Sequence, residues 1–279
     1  MSSTLNHRPV RFGVERAERL YLAPGNTTIG LVQLYSTETG EPLAFMPDGM
    51  IQGMRVGGTY GLAAKYLARA HASTMGLLGS GWQARFQVAA VKIARDLKLV
   101  KVYSPNREHR EEFAREVGRE CGVEIQPVES AGEASLGVDI LVAATNARAP
   151  LITGEFVRKG MHVMAVQNEL SDQALAKADL VVAHSSKRYV MYEGGRGQYG
   201  EIVEHKPTPL KQEELPLLED VIAGKVQGRT RDDQVTMFQS GSGMGIQFAA
   251  VGAKVYELAK ARGLGHEIPT EWFTQTLHT

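Results

Sequence analysis

Cysteine is almost absent from this sequence. Its single cysteine, Cys121, cannot form a disulfide within the chain, and its neighbours are not a Cys/His ligand cluster. The eight histidines show no metal-ligand spacing either, so we expect no metal site. A chain without disulfides is typical of a reducing compartment, which predicts a cytoplasmic location.

Net charge and long apolar runs are also missing. The chain has 31 Lys and Arg residues against 31 Asp and Glu residues, with both signs scattered along it. This balance gives no reason to expect a nucleic-acid or anionic-membrane surface. No segment approaches the roughly 20 apolar residues of a membrane helix, and residues 1–16 lack an apolar signal-peptide core. We therefore expect a soluble protein that binds neither nucleic acid nor membrane.

Short apolar runs alternate with longer amphipathic stretches from Thr74 to His184, a pattern typical of a parallel sheet with crossover helices. Parallel strands are buried on both faces, so they read as continuous apolar runs. Six such runs predict a doubly wound α/β sheet of the Rossmann type, with one surface helix over Arg107–Cys121: Thr74–Leu78, Leu99–Tyr103, Ile125–Val128, Ile140–Ala143, His162–Val166 and Leu180–His184.

Two predicted helices outside this region, Asp48–Arg69 and Met244–Arg262, each have one face of small residues. Glycine costs about 1 kcal/mol relative to alanine inside a helix, so such a face needs the close approach of another backbone or a ligand. We expect these helices to pack on each other or on the sheet. Residues 30–35 and 42–45 predict strands around a turn. Together these segments predict a smaller α+β substrate and dimerisation domain at 1–69 and 244–279, beside a dinucleotide-binding domain at 70–243.

The clearest chemical signal is a glycine-rich turn between the strand ending at Leu78 and a helix predicted over Gln83–Arg95. In a dinucleotide site, the first glycine permits the tight turn, the second lets the pyrophosphate approach the backbone, and the last residue brings the helix close to the strand. The helix N-terminus attracts phosphate. A methyltransferase turn is disfavoured, because no acidic residue precedes the loop. A turn that binds nothing is the remaining alternative. The residues are Gly79, Ser80, Gly81, Trp82, Gln83 and Ala84.

The residues after the second strand indicate which nicotinamide cofactor is preferred. They are Ser104, Pro105, Asn106 and Arg107, and no carboxylate occurs before Glu108. An NAD site usually has Asp or Glu here, whereas a 2′-phosphate is bound by small hydroxyls and a guanidinium. Ser104, Asn106 and Arg107 therefore predict a preference for NADP(H), with NAD(H) as the alternative cofactor. The competing interpretation is that Arg107 is only a solvated residue of a first helical turn.

With these motifs, the chain resembles the ornithine cyclodeaminase/mu-crystallin family from about Gly30 to Gly265. The order and spacing of several segments carry the resemblance: Thr39–Ala44, Met54–Thr59, Leu62–Arg69, Gly79–Ala84, Ala143–Asn146, Gly160–Val163, Ala165–Val166 and Asp232–Ser240. The resemblance implies an NAD(P)-dependent oxidoreductase that acts on the α-carbon of a small amino acid or cyclic imino acid. It also implies a homodimer.

The resemblance also implies roles for individual residues. Arg55 matches the arginine that binds the substrate carboxylate, which suits the planar fork of a guanidinium. Glu169 is the candidate for a catalytic acidic residue that is usually Asp, and its carboxylate would hold the substrate amine and pass a proton. Because the loop here is shorter, a solvated loop glutamate is the alternative. Further cofactor-binding residues are Thr145, Asn146, Val166 and Ser240.

One departure from the family concerns the N-terminal portion. Family members carry a lysine there that helps to bind the substrate carboxylate, and no lysine of this chain matches it. Either Arg16 or another residue takes its place, or the site is incomplete. Two alternatives to the oxidoreductase therefore stay open. One is an ornithine cyclodeaminase-type lyase, which expels ammonia and recycles its cofactor, and the other is a catalytically impaired NADPH-binding protein.

Overall fold

The computed structural model describes residues 5–20, 24–25, 29–166, 169–184, 192–193, 201–202, 214–239 and 245–275. The chain divides into two compact units. The smaller contains Met1–Leu5, Arg19–Arg55 and Met244–Thr279, and the larger contains Asn6–Glu18 and Val56–Gly243. Across the described residues, no helix is long and apolar enough to cross a membrane. The assignment of residues 1–69 and 244–279 to substrate binding and dimerisation stays a prediction.

The strands follow the chain in this order: β1 (Leu5–His7), β2 (Val10–Arg11), β3 (Val14–Glu15), β4 (Glu18–Leu20), β5 (Leu31–Tyr35), β6 (Pro42–Pro47), β7 (Thr74–Leu78), β8 (Leu99–Tyr103), β9 (Glu124–Pro127), β10 (Ile140–Ala143), β11 (His162–Ala165), β12 (Leu180–Ala183), β13 (Tyr192–Glu193), β14 (Glu201–Ile202) and β15 (Thr236–Gln239). The helices are α1 (Gly49–Leu67), α2 (Trp82–Ala94), α3 (Arg107–Cys121), α4 (Ala131–Ser135), α5 (Asp172–Leu175), α6 (Leu218–Ile222) and α7 (Gly245–Ala261).

The larger unit is built on a seven-stranded sheet in the order β12-β15-β11-β10-β7-β8-β9. Every neighbouring pair in it is parallel. This confirms the doubly wound α/β fold and all six predicted strands, whose ends move by at most one residue. The predicted number of strands was wrong, because β15 lies between β11 and β12. Strand order changes direction between β7 and β10, which is where such sheets bind dinucleotides.

The small residues of α1 allow it to approach α2 closely. A Cβ atom at Gly57 would lie 2.6 Å from the carbonyl oxygen of Phe86, and one at Gly61 would lie 3.0 Å from that of Ala90. Larger side chains at either position would push the helices apart. The expected close approach of a neighbouring backbone is therefore confirmed for α1, and α2 provides that backbone.

A buried polar network lies at the amino ends of β11 and β15. The hydroxyl of Thr236 donates to the carbonyl of Leu67 at 2.8 Å, accepts from Nη2 of Arg229 at 2.9 Å, and lies 2.9 Å from Nδ1 of His162. Because the single hydroxyl proton goes to Leu67, Nδ1 of His162 must be the donor. Burial lowers the pKa of His162 from 6.5 to about 3, and the charge of Arg229 acts in the same direction. His162 is therefore neutral at ordinary pH.

The smaller unit packs one face of a hairpin on α7. Strands β5 and β6 are antiparallel, and Val32, Met46 and Ile51 are buried against apolar residues of α7. Gly263, with φ +62°, ends this helix as predicted. The other face of the hairpin exposes four large apolar side chains, and we call this surface the outer hairpin face: Leu31, Tyr35, Leu43 and Phe45.

Candidate active site

The turn after β7 has the geometry that its glycines predict. Gly79 has φ +113°, which L residues rarely adopt, and a Cβ atom here would lie 2.4 Å from the carbonyl oxygen of Ala144. Its N–H donates to the carbonyl of Tyr103 at 2.8 Å. The backbone at Gly79 is thus fixed between the carboxyl ends of β8 and β10, and only glycine fits there.

The N-terminus of α2 opens onto free space. Gly81 is its N-cap and supplies no side-chain cap, and a Cβ atom at Gly81 would meet nothing within 4 Å. Ala84 is fully buried, while Trp82 is 51% exposed and Ser80 and Gln83 are half-buried. The start of a 13-residue helix carries a partial positive charge, and here it follows a glycine cradle with room for a ligand, an arrangement that fits a pyrophosphate.

The end of β8 borders this turn. Arg107 is exposed on α3, and its Nε lies 2.7 Å from the carboxylate of Glu111, so it must leave this partner to reach a phosphate. The side chain of Asn106 accepts from the N–H of His109 at 3.1 Å and caps α3. Ser104 is largely buried. No carboxylate is present from residue 104 to residue 107.

A buried arginine that the sequence analysis missed supports the same loop. The guanidinium of Arg110, 4% exposed, donates to the carbonyl of Ser104 at 3.0 Å and pairs with Glu129. Hydrogen bonding to Arg110 lowers the pKa of the Glu129 carboxyl. Arg110 therefore fixes the backbone at Ser104. Its separation of 19 residues from Glu129 left no local signal for the pair.

Thr145 and Glu169 meet beyond the ends of β10 and β11. Oε1 of Glu169 lies 3.4 Å from the N–H of Thr145 and 3.5 Å from its hydroxyl. Glu169 has no exposed surface, and its carbonyl accepts from the N–H groups of Leu151 and Ile152 at 2.8 Å. The alternative of a solvated loop glutamate is therefore wrong.

Val166 follows β11 and is half-buried, and the hydroxyl of Tyr60 donates to the adjacent carbonyl of Ala165 at 2.5 Å.

The segment around Arg16 also reaches the end of β10. Nη1 of Arg16 donates to Oδ1 of Asn146 at 2.9 Å, and Arg16 forms an antiparallel bridge with Ala147. The N–H of Ala17 donates to the carbonyl of Asn146 at 2.9 Å. The sequence named Arg16 only as a candidate for a missing lysine. Its contact with Asn146 spans 130 residues and has no local signal.

Arg55 lies in the smaller unit, on α1. Its Nε donates to Oε1 of Gln52 at 3.2 Å, and Nη1 donates to Oε1 of Gln247 at 3.1 Å. The guanidinium carbon lies 5.0 Å from the ring centroid of Phe248. Two neutral amides and an aromatic ring thus orient the guanidinium. Ser240, the last predicted cofactor residue, lies outside the described residues.

Comparisons with known proteins agree in family and fold. The model of the ornithine cyclodeaminase/mu-crystallin family matches residues 22–263. Alanine dehydrogenase from Archaeoglobus fulgidus is 33% identical over an alignment of 258 residues, and the match covers 88% of this chain and 77% of that protein. The structure of Thermococcus litoralis Delta(1)-pyrroline-2-carboxylate reductase in complex with NADH and L-proline has a TM-score of 0.74 at 29% identity and covers 96% of this chain and 90% of that one. An archaeal alanine dehydrogenase dimer with bound NAD has a TM-score of 0.73 at 28% identity, covering 96% and 88%.

Proposed function

Because the chain belongs to the ornithine cyclodeaminase/mu-crystallin family, we propose that it is a nicotinamide-dependent oxidoreductase acting on the α-carbon of a small amino acid or imino acid. The observation that carries this proposal is the cradle formed by Gly79 and Gly81 in front of α2, which fits a pyrophosphate. Relatives named alanine dehydrogenase and pyrroline-2-carboxylate reductase, with NAD or NADH bound, support the reaction class.

The cofactor, when bound, supplies or accepts the hydride. Side chains of this protein bind and orient the substrate. Arg55 binds the substrate carboxylate through its guanidinium fork, and the amides of Gln52 and Gln247 fix the orientation of that fork. This arrangement holds the α-carbon in one position, which lowers the entropy cost of the reaction.

Glu169 is proposed to move a proton by way of the hydroxyl of Thr145. Its contact with the N–H and hydroxyl of Thr145 gives that hydroxyl a fixed direction at the end of β10. Because Glu169 is fully buried, it exchanges a proton with the substrate amine through Thr145 and not by direct exposure to solvent. Asn106, Val166 and Ser240 complete the proposed cofactor-binding set.

We propose NADP(H) as the preferred cofactor and NAD(H) as the second. The support is chemical, since Ser104 and Arg107 follow β8 where an NAD site usually has a carboxylate. Arg107 would exchange the carboxylate of Glu111 for the 2′-phosphate. Similar rates with saturating NADH and NADPH, at equal KM, would contradict this preference.

The protein is proposed to act as a homodimer, because the outer hairpin face exposes apolar side chains and the archaeal alanine dehydrogenase is a dimer. A cytoplasmic location likewise stays a prediction that the single cysteine supports.

One experiment tests the reaction. The purified protein is mixed with NADPH or NADH and a cyclic imino acid, and the absorbance of reduced nicotinamide is followed. We expect the absorbance to fall only when both substrates are present. Conversion of ornithine to proline and ammonia without a net change of absorbance would establish the lyase instead. Nucleotide binding without turnover across amino and imino acids would indicate a protein that lacks catalysis.

A further inference from the structure

The segment 15–17 pairs with residues 146–148, which follow β10. The carbonyl of Glu15 accepts from the N–H of Arg148 at 3.0 Å, and the carbonyl of Asn146 accepts from the N–H of Ala17 at 2.9 Å. Nε of Arg148 also lies 2.8 Å from the carboxylate of Glu15. These bonds hold the backbone of residues 146–148 from the side of the N-terminal arm, which we define as residues 10–17.

Arg16 fixes which way the amide of Asn146 faces. An asparagine amide can rotate by half a turn and exchange its oxygen and nitrogen, so a partner that both donates and accepts leaves its direction open. A guanidinium only donates. With Nη1 of Arg16 at 2.9 Å, the amide oxygen must face Arg16 and the two N–H donors must face the other way.

The strand order assigns those donors to one half of a dinucleotide. Strands β7, β8 and β9 lie on one side of the switch point, and β10 and β11 lie on the other side. In doubly wound sheets the first half binds the adenosine and the second half binds the nicotinamide nucleoside. Asn146 follows β10, so its N–H donors belong to the nicotinamide half.

We propose that Arg16 is a positioning residue for the nicotinamide half of the cofactor. It holds the amide of Asn146 so that the N–H donors face a ribose hydroxyl or the carboxamide oxygen. This inference rests on the proposed dinucleotide binding. Arg16 is itself held, since its Nε donates to the carbonyl of Arg11 at 3.3 Å and its guanidinium lies 5.7 Å from the ring centroid of Phe12.

The test compares a whole dinucleotide with its adenosine half. Binding of NADPH and of 2′,5′-ADP is measured by calorimetry for the wild type, Arg16→Met and Arg16→Lys. Because a charge-assisted hydrogen bond holds the amide, Arg16→Met should weaken NADPH binding about tenfold. Binding of 2′,5′-ADP should not change. Lysine also only donates, so Arg16→Lys should recover most of the NADPH affinity.

Arg11→Met is the matched control, because Arg11 lies on the same arm, is exposed, and pairs with Glu18 at 3.1 Å and not with Asn146. It should leave both affinities unchanged. Asn146→Asp provides a second route if Arg16→Met does not fold. Aspartate strengthens the pairing with Arg16 but removes the N–H donors, so NADPH affinity should fall while 2′,5′-ADP affinity stays.

Three results would overturn the proposal. Equal weakening of both nucleotides by Arg16→Met would indicate a general structural role, and unchanged NADPH binding in Arg16→Met or Asn146→Asp would show that the amide direction has no effect. A wild-type protein that binds neither NADPH nor NADH would refute dinucleotide binding itself, and the proposal with it.

Discussion

Replacing His162 with asparagine should remove a pH dependence of stability that this buried histidine creates. In the folded protein its pKa is about 3, whereas the pKa of the same side chain in the unfolded chain is 6.5. Between these values the unfolded state binds one more proton than the folded state, so stability falls as pH falls below 6.5. The loss ends near the folded pKa.

The magnitude follows from the two pKa values. Each pKa unit corresponds to about 1.4 kcal/mol, so the largest loss is about 5 kcal/mol, and it is about 2 kcal/mol between about pH 7 and about pH 5. An asparagine amide retains a donor to the hydroxyl of Thr236 but does not titrate. The smaller side chain should lower the stability of His162→Asn at both pH values, because it leaves a cavity.

The assay is urea unfolding of wild type and His162→Asn at both pH values. The stability advantage of the wild type should shrink by about 2 kcal/mol at the lower pH. The same replacement at exposed His109 controls for the loss of one histidine from the chain. An advantage of the wild type that is equal at both pH values would refute the reasoning. It would mean that His162 is protonated equally in the folded and unfolded states.

Four further predictions concern the site and the assembly. Gly79→Ala places a Cβ atom 2.4 Å from a backbone oxygen and should abolish NADPH binding in calorimetry, whereas Gly58→Ala on α1 meets nothing within 4 Å and should not. Arg55→Lys should raise the KM for the imino acid about tenfold or more, because the bidentate fork is lost, and should leave the KM for the cofactor unchanged. Glu169→Gln should lower kcat about 100-fold and flatten its pH profile, and an unchanged profile would exclude a proton-transfer role. Leu43→Lys on the outer hairpin face should give a monomer by sedimentation, and a dimer would show that the contact lies elsewhere.

The parts of the fold that could be predicted are those with a local signal. Five of the six strands from β7 to β12 are mainly apolar runs, the exception being β9 with Glu124 and Gln126, and the turn at Gly79 is a short motif between a strand and a helix. Strand β15 consists of Thr236, Met237, Phe238 and Gln239. Because both end residues are polar, only two consecutive apolar residues remain, too few to be recognised as an apolar strand. Helices α4, α5 and α6 have four or five residues, too few to show helical periodicity.

The candidate site divides in the same way. Glycines that need a special backbone conformation could be named from the sequence, because the motif fixes their spacing. Side-chain pairs between distant segments could not be predicted, since Arg16 and Asn146 are 130 residues apart and Arg110 and Glu129 are 19 apart. The burial of Glu169 could not be predicted either, because its hydrogen-bond partners Thr145, Leu151 and Ile152 are distant from it in the sequence.

The position of β15 has a consequence for synthesis of the chain on the ribosome. Strand β12 follows β11 along the chain, but in the sheet it pairs with β15 and not with β11. The five strands from β7 to β11 can assemble as the nascent chain emerges, but β12 has no place in the sheet until residue 239 has been made. Until then the apolar edge of β11 is open to chaperones or to other nascent chains. Completion of the sheet is therefore a late step, and it depends on a strand of four residues.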